Sequence, residues 1–142
     1  MTHSASPAAD LRFRRDFETL VFPKAEFRHR EHLRLAYVYL AEQSTEAAHE
    51  CMRRAIHAFI AHHGIDFSKY HETLTRAWIL AVRHFMEKTP GTSCFDDLIR
   101  AQPVMLDSKI MLTHYSTELL FSPGARAGFV EPDLDPIPRY GR

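Results

Sequence analysis

The chain reads as all-α. Two observations predict this. Apolar residues recur at three- and four-residue spacing through most of its length, and no stretch alternates apolar and polar as a half-buried strand does. A third is the punctuation: Ser, Thr, Gly and Pro fall where such helices should start and stop. Three of the helices are long and closely joined, which predicts a compact antiparallel helical bundle.

The elements follow in order. Residues 1–9 are small and polar and are expected to be a flexible N-terminus, with one helical domain over 10–142. Phe13, Phe17, Leu20 and Val21 make a short amphipathic helix from Asp10, ended by Pro23. Phe27, Leu33, Ala36, Tyr37 and Leu40 give a helix over about 24–43. Ser44 and Thr45 then offer an N-cap for a third, which Gly64 closes. Leu74, Trp78, Val82 and Phe85 predict a fourth from Tyr70 to Lys88, stopped by Thr89-Pro90-Gly91. Ser93, with Asp96 three residues on, predicts a capped helix over 94–101. Short helical turns are expected over 104–113, 116–121 and from Ser122-Pro123. The proline-rich stretch 131–138 cannot be helix or central strand, and should lie extended as a surface strap.

Composition excludes several classes. The chain has 142 residues, 18 basic and 18 acidic side chains and 45% hydrophobic residues, which fits one ordinary folded domain. Balanced charge argues against nucleic acid as a partner. No apolar run approaches the ~20 residues that span a bilayer, and the start lacks a signal-peptide core. A cytoplasmic protein is expected, with Cys51 and Cys94 as free thiols. Gly-rich phosphate loops, nucleophile elbows, HExxH and paired CxxC motifs are absent from the sequence.

Ten histidines stand out. At about 100° per residue, His29 falls near the centre of the apolar stripe of its helix, with His32 one turn on. His71 takes the same position in the helix from Tyr70. Three imidazoles from two helices are thus expected in a common core, where unpartnered polar groups cost roughly 1–3 kcal/mol each. A divalent metal would satisfy all three. Glu72 reads equally as a fourth ligand or base and as a first-turn carboxylate favouring the helix dipole. Tyr70 and Thr75 flank His71 with hydroxyls. His62 and His63 suit the last turn of a helix, and His57 and His84 read as exposed. His49 is left ambiguous. His114, at a helix end, could close a site from above. Arg76 reads as solvated or paired.

The strings Phe27-Arg28-His29-Arg30-Glu31-His32-Leu33, Tyr70-His71-Glu72-Thr73, Tyr115-Ser116 and Pro132-Asp133 occur in this order. The series resembles an uncharacterised family of small bacterial hypothetical proteins with aromatic-x-His-x-x-His-Leu and Tyr-His-Glu-Thr motifs. The likeness covers nearly the whole chain past residue 20. It implies no reaction. It does imply a residue set, His29, His32, Tyr70, His71, Glu72 and Tyr115, and it makes the C-terminal strap part of the domain. The family often has an aromatic where His114 stands.

The leading expectation is a mononuclear metal centre on His29, His32 and His71, zinc first and iron second. Glu72 would act as base and Tyr70 or Tyr115 would donate to developing charge, in a hydrolase or lyase acting on a small molecule. The alternative is a non-catalytic module whose hydrogen-bonded His/Tyr/Glu pocket takes a small-molecule or peptide ligand, with a haem-binding variant. The third is a structural protein whose histidines satisfy one another.

Overall fold

A computed structural model describes residues 6–140. Residues 1–5, the greater part of the expected flexible start, lie outside them. Among the described residues the structure is helical, without strands. No helix there is long and apolar enough to cross a membrane.

Helix α1 (Pro7–Glu18) starts earlier than predicted, so residues 7–9 are helical. Pro at the first position suits a helix start, and Ser6 accepts from the Ala9 amide. The predicted second helix is divided. A 3-10 turn (Lys24–Glu26) precedes α2 (His29–Leu40), and Glu31 accepts from the Arg28 amide at the true start. Helix α3 (Thr45–His62) is capped by Ser44 and left through Gly64 at φ 64. Helix α4 (Glu72–Lys88) begins two residues later than expected. Helix α5 (Phe95–Ala101), 3-10 turns over Pro103–Leu106 and Ser108–Thr113, α6 (Thr117–Leu120) and α7 (Pro123–Ala127) complete the order.

Helices α2, α3 and α4 pack on one another. Between them and α1 lies an aromatic cluster in which Phe17, fully buried, stacks on Phe59 at 4.6 Å and touches Phe27 at 4.9 Å. The strap is confirmed as non-helical but is firmly held. Leu134 donates to the His114 carbonyl, Asp133 accepts from the Ser116 amide and hydroxyl, and Ile137 is buried. Both cysteines are free.

The predicted cap of α5 is replaced by a tertiary one. Ser93 makes no capping bond. The Phe95 amide donates instead to Asp10 Oδ2 at 2.8 Å, while Asp10 Oδ1 accepts from Arg34 Nε at 2.8 Å. Asp10 and Arg34 are both buried, and the guanidinium lies over Phe13. One carboxylate thereby joins α1, α2 and α5. Asp10→Ala would leave Arg34 buried without its counter-charge and α5 without its cap. Urea unfolding should show a loss of about 3–5 kcal/mol, against about 1 kcal/mol or less for Asp97→Ala, which removes the exposed pair with Arg100.

Candidate functional site

The start of α4 places the polar residues singled out in the sequence, but not in the expected way. His71 is the N-cap of the helix, with extended backbone, rather than a member of its buried face. Its Nδ1 accepts from the Leu74 amide at 3.1 Å, and its Nε2 donates to the Leu120 carbonyl at 2.7 Å. One acceptor and one donor are what a neutral imidazole offers. Burial pushes the pKa of His71 down, against the raising effect of the Leu120 bond. Both ring nitrogens are therefore committed to holding α6 and the α4 terminus together.

Glu72, the first residue of α4, turns towards α3. Its Oε1 accepts from the Tyr70 hydroxyl at 2.6 Å, and Arg53 of α3 donates to both carboxylate oxygens, at 3.1 Å from the terminal nitrogen. His49 Nε2 lies 3.0 Å from Oε2, too oblique for a full hydrogen bond. Its Nδ1 faces Arg76 at 3.1 Å, so Nδ1 is the bare acceptor and Nε2 carries the proton. Arg76 in turn pairs with Glu46, and Arg53 with Glu50. Burial alone would raise the Glu72 pKa. Tyr70, Arg53 and His49 outweigh it and hold the carboxyl below its ordinary value. Burial lowers His49, with Glu72 opposing. Ionised Glu72 beside neutral His49 is the consistent state.

These groups form the floor of an open cleft of about 970 Å³, rimmed by Phe67, Arg126 and Phe129. His57 also lines it. Its ring packs edge-on against Tyr70 at 4.5 Å, and its Nε2 is buried without a hydrogen-bond partner.

The remaining predicted residues lie elsewhere. His29, the first residue of α2, meets Met105 O through Nε2 at 2.9 Å and rests against Trp78. His32 is half-buried beside Phe27. It lines two cavities, one with His29 and one with His71. The structure thus brings Tyr70 and Glu72 together, but gives His29 and His71 separate backbone partners. Among the described residues, no group of three or more His, Cys, Asp or Glu side chains could hold a metal ion. Tyr115 is fully buried and donates to Val130 O at 2.7 Å, away from the cleft lining. His114 holds Asp135 O through Nδ1, pinning the strap.

Sequence reasoning missed His49, Arg53 and His57 as site residues, and read His57 as exposed. The signal was present. Glu46, His49, Glu50, Arg53 and His57 recur at three- and four-residue spacing on α3, one polar stripe, and Glu72 and Arg76 are four apart on α4. Comparison of the chain with family models, curated proteins and solved structures finds no match.

Burial, and then the neighbouring charge of His29, pushes His32 down to about 4. Burial also lowers His49, His71 and His84. A folded pKa below the unfolded one means that the unfolded chain takes up protons first as pH falls. Stability should therefore be full above about pH 6.5 and decline from there towards pH 4. Between pH 6.5 and 5, His32 alone contributes a loss of about 1.5 kcal/mol. Urea midpoints across this range check it, and His32→Gln should flatten the profile.

Proposed function

We infer that the protein is a small-molecule-binding helical module, and that its ligand is a small organic acid seated in the α3–α4 cleft. One observation carries this reading. A cleft of about 970 Å³ has a floor of convergent, mutually hydrogen-bonded His, Tyr, Glu and Arg side chains, in which the Nε2 atoms of His49 and His57 are buried without a hydrogen bond. Pockets that combine an apolar rim with a few placed polar groups and shifted titration are the usual sites for small ligands. Arg126 at the rim, without an ion pair among the described residues, supplies a cationic donor of the kind that carboxylates select, while Arg53 and Arg76 are paired with Glu50, Glu72 and Glu46.

Glu72 serves here as a fixed anion that orders Tyr70, Arg53 and His49. A base working near neutrality is tuned upward, and Glu72 is tuned downward. Membership in the family with the Tyr-His-Glu-Thr motif belongs to the same proposal, with residues 70–73 as the entry to the binding helix. The zinc or iron reading at His29, His32 and His71 lacks comparable support, because two of the three rings hold backbone carbonyls.

Thermal unfolding in a panel of small mono- and dicarboxylic acids tests the proposal. A ligand at a hundred times its Kd adds about 2.7 kcal/mol, a rise in Tm of roughly 5–10 °C at this size. The rise should survive EDTA and shrink in His57→Phe, which keeps the ring packing. No shift with any acid, or a shift abolished by EDTA, overturns the reading. Untagged protein should carry well under one equivalent of zinc or iron, unchanged in His29→Ala, by metal mass spectrometry.

A further inference from the structure

A second cavity, of about 440 Å³, lies between α2, α4 and the 108–113 turn, and shares no lining residue with the polar cleft. Its walls are apolar: Phe27, Leu74, Trp78, Met111 and Leu120 among them. The charged or titratable side chains in the lining are all basic, Arg28, His29, His32 and Lys109, with no carboxylate. Arg28 and Lys109 are exposed. Leu112 and Phe121 also line it, and they are 38% and 58% exposed. A smaller cavity of about 270 Å³ shares Phe27, His32 and Leu74 with it, extending the apolar space towards Ile56 and Ile60.

His32 stands where the two meet. Its ring nitrogens have no hydrogen-bond partner among the described residues; the ring contacts Phe27. A cavity of this size suits a small ligand. Its chemistry asks for an apolar body, and its charged lining, all of it basic, asks for one negative charge at the exposed end.

We propose that this cavity binds an amphipathic acid, its hydrocarbon chain in the slot beside Trp78 and its anionic head at Arg28 and Lys109. A hydrocarbon chain gains by leaving water, roughly in proportion to the area buried. The head stays at the mouth, where it keeps water and meets two cations. This site is independent of the acid-binding cleft, whose ligand is small and polar.

Trp78 is the chain's one tryptophan, so its fluorescence reports occupancy directly. The experiment titrates the whole protein with decanoate, decanol and decyltrimethylammonium, each below its micelle concentration. Decanoate should give a saturable Trp78 change with an affinity about tenfold or more above that of decanol, the factor that ~1.4 kcal/mol of charge-assisted contact confers. The cationic amphiphile should give none. Lys109→Glu, at an exposed position, should weaken decanoate about tenfold and leave decanol unchanged. Leu74→Phe, which narrows the slot and leaves Trp78 the one tryptophan, should abolish the decanoate-induced change while leaving acid-dependent thermal shifts at the polar cleft intact. No saturable change, equal affinity for acid and alcohol, or indifference to Lys109→Glu overturns the proposal.

Discussion

A carboxylate held ionised at the mouth of α4 organises the polar half of this molecule. Glu72 is 9% exposed, and burial works against its charge. It remains charged because two parts of the chain bring donors to it, Tyr70 from the turn before and Arg53 from α3, with the His49 ring close beside them. A charge removed from water survives only where good geometry and further hydrogen bonds compensate it. That requirement fixes the rotation of α3 about its axis, because Arg53 and His49 must both face α4. It also fixes Arg76, which holds His49 in one tautomer while pairing with Glu46. The floor of the cleft is shaped by this chain of demands.

The residues beside Glu72 do complementary work on the irregular third of the chain. Segments outside helices carry backbone groups that need partners. His71 accepts an α4 amide and reaches the Leu120 carbonyl. Thr73 donates to Gly128 O and accepts from the Val130 amide. Tyr115 adds a bond to the Val130 carbonyl. Four consecutive residues, 70–73, thus split between two tasks. Tyr70 and Glu72 face the cleft, and His71 and Thr73 hold the C-terminal segments. This division gives each of the four side chains a partner of its own, in the cleft or in the C-terminal third.

The helical class and the identity of every long helix were legible from apolar spacing, because burial of one face leaves a period of 3.6. The role of His71 was not. An N-cap, the third residue after it and the fourth lie on one side of a helix, so His71, Leu74 and Thr75 look like a continuous buried face if the start is placed two residues early. Spacing alone does not separate a capping side chain from a core one. Residues 24–28 misled in the same way, and His29 moved from inside the expected helix to its first residue. Ser93 was the local candidate to cap α5, and Asp10, 85 residues away, does so. The cleft was half legible: Tyr70 and Glu72 were singled out on type and position, whereas the α3 stripe gains meaning only once it is known to face α4.

The attachments of Leu120, Gly128 and Val130 to His71 and Thr73 also impose an order on biogenesis. Helices α1 to α4 can leave the ribosome and begin to dock with mostly near-neighbour contacts. The first turn of α4, however, stays short of partners until more than fifty further residues have been translated. A nascent chain stalled before residue 120 would hold His71 with its outer nitrogen unanswered and one flank of the binding helix uncovered, a state that quality-control proteases and chaperones are equipped to detect.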